Sequence, residues 1–371
     1  MGERVAIVTA AQTKFKASKE NLSVSEMIWE VVEKILRETG LKFEAQVRDK
    51  GRPFIDKIIS CSEDYWQGRT ISDCLYHLEM GALGMSATKV AGDGASAVYH
   101  GVVNILSGKS NVVLVVAWRK ESETVRSVLE NAGLDPIYLR PLGVDFLMTA
   151  AMQANRYMHK YGITEEQCAQ VVVKNRGNAF RNPYAQEPLS LSVADVLNSE
   201  MLSYPIRALD CKPVSDGACA LILASEEEAK ELTSKPVWIT GIGNCYDAHY
   251  PGDRDLSDFD SLPMATQKAY KMGGIKDLRR EIYVAIVHGC FTITEMVIYE
   301  NFGFSQWGKA REDIENGAFT LEGELPVNTD GGLKCLGHPL GAGPYLRWNS
   351  SGFRGERGYH PWKERLRGFI S

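Results

Sequence analysis

The same order of predicted secondary-structure elements occurs twice along this chain. Each copy reads strand, helix, strand and then an Asp-Gly pair on a strand-to-helix turn, Asp93-Gly94 in the first copy and Asp330-Gly331 in the second. The predicted strands span residues 5–10, 55–61, 237–241 and 282–287. Asp-Gly alone is a common turn dipeptide, but the matching order around it favours a duplicated fold. A site between two such halves would draw its catalytic groups from equivalent turns.

Short apolar runs that do not alternate with polar residues predict strands buried on both faces, which is typical of sheets covered by helices. Three such runs lie at 112–116, 171–173 and 221–223. Amphipathic helices are predicted between the strands. The fold class is therefore α/β, or a layered α/β/α arrangement.

The best marked helix begins after a capping box formed by Ser23 and Glu26 and ends at Gly40. A second helix is predicted at 145–161, ending before Gly162, and a third around 264–272. These signals are local, so they do not depend on the rest of the fold.

The length and charge of the chain limit its partners. A chain of 371 residues with 44% hydrophobic content usually divides into two domains or two fused halves. The net charge of -5 and the isoelectric point near 5.9 leave no broad basic face for nucleic acid or anionic lipid. An anionic ligand must therefore be met by a local site, and we expect no nucleic acid partner.

The cysteines indicate a reducing compartment, because none of them forms a CxxC pair of the kind that builds a zinc site. We expect a soluble, cytoplasmic protein without a membrane partner, since no signal-peptide pattern is seen and no segment approaches the roughly 18 apolar residues of a membrane span. The eight cysteines are Cys61, Cys74, Cys168, Cys211, Cys219, Cys245, Cys290 and Cys335.

The strongest local signal lies in the second copy, where residues 331–342 read GGLKCLGHPLGA. Upstream, His288-Gly289-Cys290-Phe291 is followed by Glu295. Shorter matches lie at 161–164, 174–175, 182–183 and 210–218. Together these segments resemble the thiolase superfamily, in particular its sterol-carrier-protein-type and archaeal acetyl-CoA acetyltransferase-like members. The resemblance covers about residues 1–342.

The resemblance implies a thiolase fold, with two similar βαβαβαββ halves in a five-layered αβαβα core. The N-terminal half would span residues 1–233, with a loop excursion over the active site at about 119–170, and an incomplete C-terminal half would span 234–342. Members of the family make or break a carbon–carbon bond beside a CoA thioester, with no metal and no redox cofactor. The resemblance also implies a homodimer or tetramer, and a partner protein of the zinc-ribbon OB-fold (DUF35) type.

Two histidines are the predicted catalytic residues. His338 precedes Pro339, which disfavours helix and presents the ring from a loop. The resemblance implies that His338 activates the nucleophile and helps to hold the thioester oxygen, and that His288 stabilises an enolate-like oxyanion. The alternative for each is a histidine hydrogen-bonded for structure. Gly289 stands where the family has Asp, and a metal shared by His288 and Cys290 is a poor match to zinc patterns.

The cysteine nucleophile of a thiolase lies three residues before a glycine at the first strand-to-helix turn. Alignment on Gly94 places Ala91 there, so no acyl-enzyme can form at this position. Cys290 and Cys335 are the alternative nucleophiles, although each also suits a small buried apolar position. Without a nucleophile, enolate chemistry still supports retro-aldol cleavage of a β-hydroxyacyl-CoA. A non-catalytic, acyl-CoA-binding subunit is the further alternative.

The C-terminal segment departs from the family. After residue 342 the pattern should continue as a helix and two strands, with a second catalytic cysteine in a Cys-x-Gly context. Residues 344–371 instead contain five Arg and one Lys against two Glu, with no strand pattern. We interpret 343–371 as an atypical tail produced by a change of reading frame; the alternative is a natural tail of divergent function.

Overall fold

The structure is a computed structural model that describes residues 4–48, 51–64, 72–339 and 368–370. Its strands are β1 Val5–Gln12, β2 Lys57–Cys61, β3 Ser86–Val90, β4 Val112–Lys120, β5 Met201–Ser203, β6 Ile206–Arg207, β7 Asp216–Ser225, β8 Val237–Ile242 and β9 Gly368–Ile370. Its helices are α1 Val24–Thr39, α2 Ser72–Tyr76, α3 Gly94–Leu106, α4 Arg126–Ala132, α5 Phe146–Tyr161, α6 Glu165–Ala179, α7 Val193–Leu197, α8 Glu226–Leu232, α9 Ser261–Gly273, α10 Leu278–Glu281, α11 Thr292–Asn301, α12 Ala310–Glu315 and α13 Leu333–Leu336.

One mixed sheet contains five strands of the first half, and β8 and β9 from later in the chain extend it at one edge. Its strand order is β3-β2-β4-β7-β1-β8-β9. β2 is parallel to both of its neighbours, β3 and β4, whereas β7 is antiparallel to β4 and β1. Every residue of β4 and β7 is buried, as the unalternating apolar runs predict. β5 and β6 form a separate pair.

Helices cover both faces of this sheet. On one face, Ile28 and Val32 of α1 share an apolar cluster with Leu114 of β4. On the other face, Val102 of α3 shares a cluster with Val115. Each fully buried aliphatic side chain of this kind contributes about 1.5–3 kcal/mol to folding. The alternation of β4 residues between the two clusters therefore fixes the sheet between two helical layers.

The helices with local end signals are confirmed. Ser23 Oγ accepts the N–H of Glu26 at 3.2 Å, and α1 ends at Gly40, whose φ of 69° lies in the left-handed region. α5 begins after Asp145 and ends at Gly162. α9 includes the helix predicted around 264–272.

The prediction of a strand at 171–173 is wrong, because these valines lie within α6. Thr164 and Gln167 form a capping box that begins this helix. Val171 packs into one apolar cluster, whereas Val172 packs into another. An unalternating apolar run here reflects a helix buried on two sides.

The prediction of a strand at 282–287 is also wrong. In the described residues this segment makes one isolated parallel bridge, between Ala285 and Val327. Its counterpart in the first half, β2, pairs on both sides, with β3 and with β4. Among the described residues, segment 282–287 thus has one strand partner, residues 325–327, whereas β2 has two. That single bridge is too short to form a β-ladder.

The predicted loop excursion at 119–170 contains helices, namely α4, α5 and the start of α6. In the tail, the expectation of no strand is wrong for β9, which pairs in parallel with β8. The rest of the tail, and residues 340–342 of the sequence motif, lie outside the described residues. Within the described ranges, every helix is too short or too polar to cross a bilayer.

Candidate active site

The turn after β3 carries Ala91, at the position where the resemblance places a nucleophilic cysteine. β3 ends at Val90, and Gly92 has a φ of 138°. Asp93 caps α3 by accepting the N–H of Ser96 at 3.2 Å. Ala91 is exposed and its methyl group cannot act as a nucleophile. The chemistry of this turn is therefore limited to its backbone and to the N-terminus of α3.

A thiol beside this turn was missed by sequence reasoning. Cys61 ends β2 and pairs in register with Val90 at the end of β3. Its Sγ donates to the carbonyl oxygen of Gly92 at 3.1 Å. Burial, together with Asp93 and Glu63, raises the pKa of the Cys61 thiol well above its usual range. Cys61 thus holds the turn and is a poor nucleophile; only the strand register could have revealed it.

The two predicted histidines lie together. The rings of His288 and His338 are 5.0 Å apart between centroids and nearly perpendicular, at 84°. The N–H of Val287 donates to Asn328 Oδ1 at 2.9 Å, which fixes the start of the His288 loop. His338 is 1% exposed, and its backbone N–H donates to Ser215 Oγ at 3.0 Å. His288 is partly exposed, so a bound substrate can reach it.

Cys290 lies on the same loop as His288 and hydrogen bonds with its side chain. Burial alone would raise the pKa of the Cys290 thiol, but His288, Lys212 and Lys334 oppose it and the pKa is lowered from its usual value. Its side chain is partly exposed. Five other cysteines have a pKa raised by burial: Cys61, Cys168, Cys211, Cys219 and Cys335. Cys290 therefore combines access with a lowered thiol pKa, which favours the reactive thiolate form.

Cys335, the other alternative nucleophile, is enclosed. It belongs to a small apolar cluster with Ala179 and Ala185. Its carbonyl oxygen accepts the N–H groups of Gln186 and Glu187, each at 2.9 Å. Burial raises the pKa of the Cys335 thiol to about 12. The geometry therefore favours Cys290 over Cys335.

A loop of the first half joins the two histidine segments. Lys212 donates its backbone N–H to the carbonyl oxygen of Cys290 at 2.8 Å. Its Nζ donates to both carboxylate oxygens of Glu121, at 2.8 and 3.0 Å. Glu121 also accepts the N–H of Ser215 at 3.0 Å. The resemblance places this loop among the matched segments, whereas Glu121 carried no sequence signal.

Two family models match the chain. One is described as "Thiolase, N-terminal domain" and matches residues 5–188, and the other, "Thiolase C-terminal domain-like", matches residues 244–348. Together they include the Ala91 turn and both histidines. The chain belongs to the thiolase superfamily.

Known proteins similar to this thiolase-superfamily chain include three that illustrate its relationships. An acetyl-CoA acetyltransferase of Methanothermobacter thermautotrophicus is 36% identical over 251 residues, which are 67% of this chain and 65% of that protein. Sterol carrier protein 2 of Gallus gallus is 26% identical over 382 residues, covering 96% of this chain and 68% of that protein. The solved Ltp2-ChsH2(DUF35) aldolase has a TM-score of 0.76 at 26% identity, covering 95% of this chain and 88% of that one.

These comparisons confirm the predicted thiolase fold and the predicted superfamily. The chain spans just under two thirds of the length of the acetyltransferase, at 65%. The roles of His288 and His338, and the absence of a nucleophile at Ala91, stay predictions.

Proposed function

We propose that this thiolase-superfamily protein makes or breaks a carbon–carbon bond beside a CoA thioester. The observation that carries the proposal is the convergence of His288, Cys290 and His338 from two segments of the second half. When a proton leaves the carbon next to the thioester, negative charge develops on the thioester oxygen. Imidazole N–H donors aimed at that oxygen stabilise it.

The proposed residue roles follow from exposure and charge. The Cys290 thiolate takes the α-proton and becomes a thiol, while the electron pair of the C–H bond moves onto the thioester oxygen. His288 donates a hydrogen bond to that oxygen, and His338 packs edge-on against the His288 ring. The resulting enolate carbon then attacks the thioester carbonyl of a second acyl-CoA, which releases CoA as its thiolate. In the cleavage direction, the enolate forms when the bond between the α- and β-carbons breaks and its electron pair moves onto the thioester oxygen.

Ala91 alters this chemistry. A thiolase transfers its acyl group through a covalent acyl-enzyme, which this turn cannot form. A retro-aldol cleavage of a β-hydroxyacyl-CoA needs a base and an oxyanion site but no acyl-enzyme. The retained histidine pair, combined with the missing nucleophile at Ala91, therefore favours a retro-aldolase as the second candidate function. The likeness to the Ltp2-ChsH2(DUF35) aldolase supports it.

The proposed setting is cytoplasmic, with a homo-oligomer and a DUF35-type partner. The solved aldolase similar to this chain is named with a DUF35 component. Large apolar side chains at α4 and in the segment that links α4 to α5 are 62–76% exposed. They are Val125, Val128, Ile137 and Leu142. Exposed apolar surface of this kind is typical of protein contacts when the side chains adjoin one another.

The test is exchange of the α-proton of acetyl-CoA with deuterium in ²H₂O, followed by mass spectrometry of the recovered thioester. Wild-type protein is expected to exchange faster than buffer. Thiolysis of acetoacetyl-CoA and cleavage of a β-hydroxyacyl-CoA, assayed in parallel, separate the acyltransferase from the retro-aldolase. If the protein binds acetyl-CoA without exchange above the buffer rate, both enzyme proposals fail and a non-catalytic acyl-CoA-binding subunit takes their place.

A further inference from the structure

A fully buried carboxylate, Glu295, lies beside the loop that carries His288 and Cys290. Its hydrogen-bond donors are Asn175 Nδ2 at 2.7 Å, Lys334 Nζ at 2.8 Å, Tyr299 OH at 2.6 Å and Lys174 Nζ at 3.3 Å. Burial alone would raise the pKa of Glu295, but the charges of the two lysines hold it well below its usual range. The carboxylate is therefore ionised and fully hydrogen-bonded, as a buried charge must be.

Lys334 connects this carboxylate to the loop that carries His288 and Cys290. Its side chain has 0% exposure, and its Nζ also donates to the carbonyl oxygen of Gly289 at 3.2 Å. The Gly289 residue is the link between His288 and Cys290. Lys334 itself lies on α13, four residues before His338. One ammonium group thus ties the segment of one histidine to the loop of the other.

Gly289 allows this contact because its backbone lies directly on the carboxylate. A Cβ at Gly289 would be 2.5 Å from Glu295 Oε2, well inside van der Waals contact. Any side chain at this position, including the Asp that the resemblance leads one to expect, requires Glu295 or the loop to move. The close approach of the Gly289 peptide and the Lys334 hydrogen bond are separate observations of the same tether.

We propose that Lys334 is a positioning residue that holds the Gly289 peptide, and with it His288 and Cys290, against the segment carrying His338. Its catalytic meaning rests on the proposed function. Lys174 provides a matched comparison, because it binds the same carboxylate but donates its other hydrogen bonds to Tyr299 and to the carbonyl oxygen of Val327 at 2.9 Å.

The test compares Lys334→Met with Lys174→Met in the full chain. The rate of Cys290 alkylation by iodoacetamide is measured across pH, with peptide mapping. The groups that face the thiol are His288, Lys212, Lys334 and Cys211. Loss of the tether and of its positive charge should slow alkylation at pH 7 about tenfold in Lys334→Met, because the thiolate is the reacting form. Lys174→Met should stay within about twofold of wild type.

Wild-type alkylation of Cys290 in folded Lys334→Met overturns the proposal, as does an equal slowing in Lys174→Met. If Lys334→Met does not fold, Gly289→Ala is the second variant, since its methyl group requires Glu295 or the loop to move while both lysines remain. It is expected to change the alkylation rate, and an unchanged rate overturns the tether. Alkylation of Cys290 needs no catalytic turnover. If wild-type protein shows no proton exchange, the proposed function fails, while the alkylation rates still test whether Lys334 holds the loop.

Discussion

His288 is the partly exposed member of a histidine pair whose rings lie 5.0 Å apart. His288→Ala should slow α-proton exchange of acetyl-CoA by about 10²–10³, the usual effect of removing one oxyanion donor. Deuterium incorporation in ²H₂O measures it. His159→Ala, which alters an exposed histidine on α5, is the matched control and should exchange like wild type.

Exchange that survives in His288→Ala would make His288 a structural residue and would refute its assignment to the oxyanion. A loss of exchange in the His159→Ala control would instead indicate a general effect on the fold. Measuring thermal unfolding of both variants separates these outcomes.

The thiols give a second residue-scale prediction. Wild-type protein incubated with acetyl-CoA should not accumulate an acetyl-enzyme, because the Ala91 turn holds no nucleophile, Cys61 beside it has a strongly raised pKa, and Cys290 acts as the base in the proposed chemistry. Intact-mass spectrometry measures the adduct, and peptide mapping locates it. An acetyl group on Cys290 or Cys335 would contradict the prediction and identify a relocated nucleophile.

For single residues, the sequence predicts those that stand in motifs. It does not reveal residues whose role depends on strand register or on an ion-pair partner far away in the chain. His288 and His338 were found because each stands in a recognisable segment. Cys61 was missed because its place beside Ala91 follows from the register of β2 against β3. Glu121 was missed because its partner, Lys212, is distant in the chain.

Among the elements, local signals were predictive and long-range pairing was not. The Ser23 cap and Gly40 gave the ends of α1 because they act within one turn of the helix. The run at 171–173 was misassigned because its apolar content, read alone, does not distinguish a strand from a helix buried on two sides. The segment at 282–287 depended on strand partners that no local signal reveals.

The capping box of α6 gives an element-scale prediction, and α6 carries Lys174 and Asn175 of the Glu295 cluster. Thr164→Ala removes the acceptor for the N–H of Gln167 and should lower the free energy of unfolding by about 1 kcal/mol. Urea unfolding followed by circular dichroism measures it. Thr164→Ser keeps the hydroxyl and should lose much less; equal losses in both variants would point to the Thr164 methyl group instead of the cap.

In the whole molecule, the two halves are unequal in the part that the structure describes. The first half contributes a sheet in which β2 pairs on both sides, whereas the equivalent segment at 282–287 makes one bridge. The match to the C-terminal family model ends at residue 348. Residues 344–371, with six basic residues against two acidic ones, differ in charge from the acidic chain as a whole. These observations converge on the region just after residue 342.

The last prediction therefore concerns the gene. If a change of reading frame begins near codon 342, resequencing that region should recover a frame that encodes a helix and two strands with a Cys-x-Gly segment. The restored strands would give 282–287 a second partner, as β4 does for β2, and amide hydrogen exchange of 282–287 should slow in the corrected protein. The frameshift is refuted, and a natural tail established, if resequencing finds no change of frame and the C-terminal peptides of the native protein match residues 343–371.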